Sequence, residues 1–311
     1  MLEITEQNLF QFPSSDGIHQ ITAFRFPVEA PRAVVQIVHG MIDHTGRYLG
    51  LIEALNGAGI AVFSCDHLGH GRTAQNEEEF GYFGGKGSRE FVVSDLHTLT
   101  GIAKQDYPGI PFILLGHSMG SFLVRMYATR FGSELDGLII LGTGGPSPIL
   151  PLGKLCVNLS ILFHGEKYRS KLIAGMAFSG YNSKYEKGAP DDAWITRDES
   201  ILKERRQDPY GQFIFTASGY RELFCMTGEV NAADWAGKLN KDLPILVMSG
   251  DMDPVGGWGK GVETVVEMLK EAEIKDLTVK LYPGARHELH SETCRDEFFS
   301  DLIGWIEGRI K

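Results

Sequence analysis

The sequence predicts an α/β fold with a mostly parallel central sheet flanked by helices, and three observations support this prediction. Short apolar runs rich in β-branched residues alternate with longer helical patterns along most of the chain. The runs are apolar almost throughout, which is typical of strands that are covered by helices on both faces of a sheet. The alternation breaks between about residues 146 and 240, which indicates a helical insertion.

Seven apolar runs in the chain are predicted as strands. The first two are expected to form an antiparallel pair, so the sheet is predicted to be mixed rather than purely parallel. In chain order the predicted strands are residues 19–26, 33–38, 60–65, 111–116, 135–142, 243–250 and 277–282.

Helices are predicted where apolar residues recur every three or four positions. Inside the insertion, Thr196 and Glu199 match a capping box and predict the start of a helix. We therefore predict a core formed by residues 1–145 and 241–311, with residues 146–240 inserted into it as a helical cap. The apolar helical faces near the end of the chain are Trp258, Val262, Val265, Val266 and Leu269, and then Phe298, Phe299, Leu302, Ile303 and Ile306.

Composition and charge exclude several classes of protein. The chain has 311 residues with 30 basic and 40 acidic side chains, so its formal net charge is −10 and nucleic acid is not expected as a partner. Its 4 cysteines lie far apart without a C-x-x-C pair, which argues against a zinc ribbon and against a disulfide framework. The first residues lack the basic head and apolar middle of a signal peptide, so a cytoplasmic location is expected.

One short stretch, P-F-I-L-L-G-H-S-M-G-S at residues 111–121, predicts a nucleophile. It matches the pattern G-x-S-x-G, and it has the strand before and the helical pattern after that this motif requires. A sharp turn from strand to helix has room only for small residues beside it, and Gly116 and Gly120 meet that need. Because such a turn lifts the hydroxyl clear of the sheet, Ser118 is the predicted nucleophile.

An acid and a base are predicted on the loops that follow the last two strands. In hydrolases built in this way the order along the chain is serine, then acid, then histidine. The sequence G-D-M-D-P after the first of these strands offers either Asp251 or Asp253 as the acid. After the second strand, A-R-H-E-L-H supplies His287 as the predicted base, because His290 lies closer to the last helix.

Two backbone amides are predicted to bind the oxyanion of the reaction. One belongs to Met119, directly after the serine, and the other to Met41 in the loop H-G-M-I-D-H. Gly40 would let the backbone of that loop come close to the reacting carbonyl. His39 and His44 in the same loop are interpreted as hydrogen-bonding braces rather than as catalytic groups.

No metal site and no cofactor are predicted. His67 and His70 in D-H-L-G-H-G, like the histidines of H-E-L-H, are closely spaced, as imidazole ligands of a metal often are. However, H-E-L-H lacks the spacing of the H-E-x-x-H helix, and the glycines of D-H-L-G-H-G are typical of a tight turn.

Together, H-G-M-I-D-H-T-G-R-Y, D-H-L-G-H-G, G-H-S-M-G, G-D-M-D-P-V and G-A-R-H-E-L-H resemble the motif series of the monoglyceride lipase and lysophospholipase group within the α/β-hydrolase fold. The resemblance implies Ser118 as nucleophile, Asp253 as triad acid and His287 as base, with the amides of Met41 and Met119 as the oxyanion hole. It also implies that the insertion is a cap over the active site. One difference from the group is Arg-Thr after D-H-L-G-H-G, where a serine is more usual in the second place.

The most apolar window of the chain lies in the insertion, at residues 149–163. It is too short to span a bilayer, and Pro151, Lys154 and Asn158 interrupt it. Its apolar side chains are expected either to form the wall of an acyl pocket or to pack the cap onto the core. The residues assigned to the pocket are Leu150, Leu152, Leu155, Leu159 and Phe163.

The expected function is hydrolysis of carboxylic esters of single-chain acyl lipids, monoacylglycerol or lysophospholipid, through an acyl-enzyme. The net charge of −10 would resist tight adsorption to anionic bilayers, so at most transient contact with a membrane or micelle is expected. The sequence does not define an oligomeric state.

Other functions stay open at this point. An aminopeptidase of the same fold would need acidic cap residues for the substrate ammonium group, and the candidates are Glu186, Asp191, Asp192, Asp198 and Glu199. A small-ester esterase, a non-catalytic binding protein and, last, a metallohydrolase are the further alternatives.

Overall fold

The protein is described here by a computed structural model, which covers residues 2–310. An eight-stranded sheet forms its centre. The strands are β1 (Leu9–Pro13), β2 (Gln20–Phe26), β3 (Ala33–Val38), β4 (Ile60–Cys65), β5 (Phe112–His117), β6 (Gly137–Leu141), β7 (Ile245–Gly250) and β8 (Leu277–Tyr282). Their order across the sheet is β1-β2-β4-β3-β5-β6-β7-β8.

Helices cover both faces of this sheet, and most of them connect one strand to the next. They are α1 (Leu49–Gly57), α2 (Arg89–Asp106), α3 (Met119–Phe131), α4 (Leu150–His164), α5 (Lys171–Ala177), α6 (Glu199–Gln207), α7 (Ala217–Val230), α8 (Lys260–Glu271) and α9 (Arg295–Glu307).

The sheet is mixed, as predicted, but the antiparallel pairs are not the expected ones. β2 pairs antiparallel with β1 and β4, whereas β3 lies between β4 and β5 and is parallel to both. The expected pairing of the first two predicted strands is therefore wrong. All six residues of β3 are buried, which suits a central strand covered on both faces. The unpredicted partner of β2 is the short edge strand β1, in which Gln11 and Pro13 are exposed.

Two apolar layers form the core, one on each face of the sheet. Alternate residues of a strand point to opposite faces, so Val34 contributes to one layer and Val35 to the other. Helices α2, α3 and α8 cover the first layer, and α1 and α9 cover the second. The sheet is therefore buried on both sides, and its loops at the carboxyl ends of the parallel strands are left to form a site.

The predicted helices near the end of the chain are α8 and α9. Trp258 lies before α8, with a φ of 54°, and so is not part of the helical face to which it was assigned. The predicted capping box is also wrong, because α6 begins one residue after Asp198, whose side chain accepts the N–H of Ser200 at 3.0 Å. The Thr196 hydroxyl instead donates to the carbonyl of Ser291 at 2.9 Å.

The chain between β6 and β7 contains α4, α5, α6 and α7, as expected for a helical insertion. Helix α4 packs on α7, where Gly153 faces the ring of Phe224, and α7 packs on α3 of the core. The division of the chain at residues 146 and 240 stays a prediction. Within residues 2–310 no helix is long and apolar enough to cross a membrane.

Candidate active site

Ser118 occupies the sharp turn between β5 and α3. Its φ of 57° and ψ of −121° lie in a region that side-chain-bearing residues rarely adopt, and such backbone strain is concentrated at functional sites. The chains cross so closely that a Cβ on Gly116 would lie 2.3 Å from the carbonyl oxygen of Gly120. A Cβ on Gly120 would lie 2.0 Å from the carbonyl oxygen of Val38. Both positions therefore require glycine.

Asp253 and His287 meet at the carboxyl ends of β7 and β8. His287 Nδ1 lies 2.9 Å from Asp253 Oδ2, and both side chains are buried. The other oxygen of this carboxylate accepts the N–H of Val255 at 2.8 Å, which fixes its orientation. Asp251 instead accepts the N–H of Gly284 at 2.7 Å, so it braces a turn and does not contact the imidazole.

Ser118 and His287 line the same cavity, which has a volume of about 600 Å³. The structure contains no hydrogen bond between these two side chains. Catalytic hydrogen bonds are often long in an empty site and shorten when substrate binds. With Nδ1–H donated to Asp253, Nε2 of His287 is the nitrogen left to accept a proton.

Met41 and Met119 line the cavity together with Ser118. Among residues 2–310 neither N–H donates to another group of the chain. The loop after β3 comes so close to the serine that a Cβ on Gly40 would lie 3.1 Å from Ser118 Cβ. Two unused donors beside the serine hydroxyl are what an oxyanion hole requires.

A buried charge network lies beneath the loop that carries Met41. Arg47 contacts both Asp43, at 3.2 Å, and Glu288, at 2.6 Å, and Tyr48 donates to Asp43 at 2.7 Å. Burial alone would raise the pKa of both carboxyls, but the charge of Arg47 outweighs it and holds the pKa of Glu288 at about 2. The pKa of Asp43 is lowered in the same way. Both carboxylates are therefore ionised, and both lie within ion-pair distance of Arg47.

The clustered histidines of the early loops are packed against one another inside the protein. The rings of His39 and His67 stack at 3.8 Å, and His39 Nε2 accepts the backbone N–H of His67 at 3.0 Å. Burial lowers the pKa of His67 to about 3 and that of His70 to about 4, so both are neutral near pH 7. These contacts agree with the interpretation of His39 as a brace.

His44 connects the same loop to the insertion. Its Nε2 lies 2.8 Å from Asp208, which follows α6. Burial opposes the charge on this imidazole, but the hydrogen bond and negative charge of Asp208 outweigh burial and raise the pKa of His44. His44 thus acts as a brace in a wider sense than predicted, because its side chain links the core to the inserted helices.

A segment of the insertion, residues 193–197, runs beside the loop that carries His287. The N–H of His287 donates to the carbonyl of Trp194 at 3.2 Å, and the N–H of Glu288 donates to the carbonyl of Ile195 at 2.8 Å. The indole of Trp194 also packs on the imidazole, with ring centroids 5.1 Å apart. Sequence reasoning missed this contact, because nothing in the motif series connects Trp194 to His287.

Arg205 of α6 is a second residue of the site that sequence reasoning missed. Its side chain is 14% exposed and lines the cavity, but it makes no hydrogen bond with the described residues. The nearest carboxylate oxygen is Glu288 Oε1 at 3.9 Å, and Glu288 is already bound by Arg47. The guanidinium donors of Arg205 are therefore available to a molecule in the cavity.

The remainder of the cavity wall is mainly apolar. Its apolar side chains include Phe122, Ile149, Leu150, Phe178, Leu223 and Phe224. Of the residues assigned to an acyl pocket from the sequence, Leu150 lies in this wall. The assignment is wrong for Leu152, Leu155, Leu159 and Phe163, which do not line the cavity and are 51%, 55%, 45% and 73% exposed. Only the first turn of α4 reaches the cavity, and these four side chains lie along its outer surface.

This sheet topology defines an α/β-hydrolase-fold protein. A strained serine follows the central strand β5 and a histidine–carboxylate pair lies beside it, which is the site layout of a serine hydrolase. The family described as "Serine aminopeptidase, S33" matches residues 29–294, and the chain belongs to that family.

Several relatives that cover nearly the whole chain have lipase or esterase names. The monoacylglycerol lipase of Mycolicibacterium smegmatis is 28% identical, over 96% of each chain. The human monoglyceride lipase is 26% identical, over 98% of this chain and 92% of its own length. The crystal structure of a thermostable carboxyl esterase from Bacillus coagulans, in complex with glycerol, superposes with a TM-score of 0.91 at 32% identity, covering 97% of this chain and 98% of that one. The resemblance to the monoglyceride lipase group is thus confirmed.

Proposed function

We propose that this chain hydrolyses carboxylic esters of single-chain acyl lipids, with monoacylglycerol as the preferred class. The observation that carries the proposal is the cavity in which Ser118 and His287, the latter bonded to Asp253, lie beside an apolar wall large enough for an acyl chain. The names of the relatives support the choice of ester, since those that span the chain include monoacylglycerol lipases.

In the proposed reaction Ser118 Oγ attacks the ester carbonyl while His287 Nε2 takes its proton. Asp253 holds the imidazole in the required tautomer and stabilises the imidazolium that forms. The amides of Met41 and Met119 bind the oxyanion. His287 then protonates the leaving alcohol, and a water molecule activated by the same imidazole releases the fatty acid from Ser118. In this arrangement the inserted helices act as a cap that supplies the apolar wall.

The family description names an aminopeptidase, but the charges around the cavity favour an ester substrate. A free amino terminus needs an unpaired carboxylate in the site. None of Glu186, Asp191, Asp192, Asp198 and Glu199, the acidic residues considered from the sequence, lines the cavity. The two carboxylates that do, Asp43 and Glu288, are not unpaired, because each forms an ion pair with Arg47.

Acyl-chain preference tests the proposed substrate class. For nitrophenyl esters from about two to about sixteen carbons, kcat/KM should rise by up to about fourfold per methylene until the apolar wall is fully covered. Monoacylglycerol should be cleaved far faster than triacylglycerol, and aminoacyl anilides should not be cleaved. A steady decline beyond the shortest ester, together with no turnover of monoacylglycerol or lysophosphatidylcholine, would leave only a small-ester hydrolase.

Arg205 is proposed to bind the leaving alcohol, because it lies beside Glu288, next to the base that protonates that alcohol. Arg205→Met should lower kcat/KM for monoacylglycerol by about 10- to 100-fold, the effect of one lost charged hydrogen bond. The methyl ester of the same acid, which has no free hydroxyl, should be cleaved at an unchanged rate. Arg206→Met is the matched control, since Arg206 is exposed and paired with Asp192. Equal losses on both esters would contradict the assignment.

A cytoplasmic location remains part of the proposal. All four cysteines, Cys65, Cys156, Cys225 and Cys294, are free thiols in the structure, as expected in a reducing compartment.

A further inference from the structure

A fully buried arginine lies on the helix that follows Ser118. The side chain of Arg125 in α3 is 0% exposed, and among residues 2–310 no carboxylate lies within ion-pair distance of it. Burial lowers the pKa of Arg125 to about 9, so the guanidinium is still charged near pH 7. Because a buried charge without a counter-charge is costly, its hydrogen bonds must compensate for the lost solvent.

The guanidinium of Arg125 joins two parts of the protein. Its Nη2 donates to the carbonyl of Val230 and, at 3.2 Å, to the side-chain oxygen of Asn231, both at the end of α7. Its Nη1 donates to the hydroxyl oxygen of Thr143 at 3.2 Å and to the carbonyl of Gly144 at 3.3 Å. One branch of the guanidinium therefore supports the inserted helices, and the other reaches the loop after β6, which borders the cavity.

Thr143 continues this set of hydrogen bonds toward the nucleophile. Its hydroxyl oxygen lies 2.8 Å from Ser121 Oγ, and Ser121 Oγ lies 2.5 Å from the carbonyl oxygen of Ser118. Ser121 and Arg125 are four residues apart on α3, so both lie on the side of the helix that meets the loop after β6. The side chains of Ser121 and Thr143 are also 0% exposed, which shields these hydrogen bonds from solvent.

The direction of each hydrogen bond follows from the groups that form it. A guanidinium can only donate, a carbonyl can only accept, and each hydroxyl has one proton. The Ser121 proton is therefore donated to the Ser118 carbonyl, and Ser121 Oγ accepts the proton of Thr143. Thr143 Oγ1 in turn accepts from Arg125. The hydrogen bonds thus lead from a positive charge to one carbonyl, and bonds linked in this way polarise one another.

The carbonyl at the end of this chain of hydrogen bonds belongs to the peptide group whose N–H is a predicted oxyanion donor. In a planar trans peptide the C=O of Ser118 and the N–H of Met119 point in opposite directions. A hydrogen bond that draws electron density toward the C=O makes the N–H a stronger donor. We infer that the charge of Arg125, relayed by the two hydroxyls, polarises this peptide group and so strengthens the oxyanion hole. Arg125 is thus a positioning residue for the proposed hydrolysis, on which this role rests.

Removal of each relaying hydroxyl tests this inference on a soluble nitrophenyl ester. Ser121→Ala and Thr143→Val should each lower kcat by about tenfold and leave KM within about twofold, because the oxyanion forms only after the substrate has bound. Loss of a whole oxyanion donor costs about 10²- to 10³-fold, so a tenfold loss corresponds to a weakened donor. The double variant should lose no more than the larger single loss, since either substitution interrupts the same chain of hydrogen bonds.

Two control variants make the same substitutions at buried hydroxyls that do not line the cavity. The Ser64 hydroxyl donates to the carbonyl of Ile37 at 3.0 Å, and the Thr100 hydroxyl donates to the side chain of Gln36 at 2.9 Å. Both residues are 0% exposed, like the two relaying residues. Ser64→Ala and Thr100→Val should therefore lower the midpoint of urea unfolding, as the test variants do, but should leave kcat unchanged.

A trifluoromethyl ketone gives a readout that a merely structural role would not change. Ser118 Oγ adds to the ketone carbon and its proton passes to His287. The oxygen that becomes negative then lies against the two amides. Adduct formation should move the amide proton of Met119 downfield in the NMR spectrum, and it should do so less in Ser121→Ala than in the original chain. The amide of Met41 belongs to another loop and should move at least as far in the variant.

Arg125→Met removes the charge itself. It should lower kcat at least as far as the hydroxyl variants do, and it should also lower the midpoint of urea unfolding, since the carbonyl of Val230 loses its donor. Ser121→Ala and Thr143→Val leave that contact in place, so the test depends on them.

Unchanged kcat in both hydroxyl variants would overturn the inference. A loss of kcat in the controls as large as in Ser121→Ala and Thr143→Val would do so too, as would equal downfield shifts of the Met119 amide in the original chain and in Ser121→Ala. A chain that neither cleaves the ester nor forms the adduct would overturn the proposed function, and this role with it. An active chain with unaffected variants would overturn the role alone.

Discussion

Ser118→Ala is expected to lower ester turnover by about five orders of magnitude or more, because the nucleophile and its base act as a unit. The free energy of unfolding should change little, since alanine fills the same turn and Ser118 Oγ makes no hydrogen bond that holds the fold together. Ser147→Ala is the matched control, as Ser147 also lines the cavity but lies away from the turn. Its turnover should stay within a few fold of the original.

The measurement combines steady-state turnover with mass spectrometry after treatment with a fluorophosphonate. The adduct should be found on the peptide that contains Ser118 and should be absent from Ser118→Ala. An adduct on Ser121, whose hydroxyl donates to the Ser118 carbonyl, or on the buried Ser249 would show that the nucleophile has been misassigned.

The second large effect is expected at the carboxylate. Asp253→Asn keeps the shape of the side chain but presents an amide to His287 Nδ1, which favours the wrong imidazole tautomer and should cost about 10⁴ in turnover. Asp251→Asn should cost far less turnover. It weakens the hydrogen bond to the Gly284 N–H, so its effect should appear as about 1 kcal/mol in the free energy of unfolding.

The two variants share a loop and a chemical change, so each is the control of the other. Turnover and urea unfolding are measured for both. Equal losses of turnover, or a larger loss in Asp251→Asn, would reverse the assignment of the acid.

The core of the fold was predictable because its signals are local. β3 and β4 have the predicted bounds, and β5 differs by one residue at each end, since continuous apolar runs require burial on both faces. The turn at Ser118 is equally local, because Gly116 and Gly120 are needed within four residues of each other. β1 carries no such signal, as it is an edge strand with exposed positions, and strand order depends on pairing that no single segment encodes.

The helical character of the insertion was predictable, but its contacts were not. The run at 149–163 is apolar all round, so its composition cannot say which side faces the cavity, and four of five residues assigned to that wall lie outside it. Thr196 has the chemistry of a helix cap but bonds to Ser291, ninety-five residues further along the chain. Trp194 and Arg205 reach the site by the same kind of long-range contact.

The contact between residues 193–197 and the His287 loop also limits how the protein can be recombined. The amides of His287 and Glu288 are bonded to carbonyls of the insertion, and Arg197 holds Glu292 of the same loop at 2.8 Å. The inserted helices that form much of the cavity wall are therefore joined to the segment that supports the His287 loop. A chimera could receive its inserted helices from a relative. It would keep the hydrogen bonds that support His287 only when residues 193–197 and the His287 loop come from the same parent.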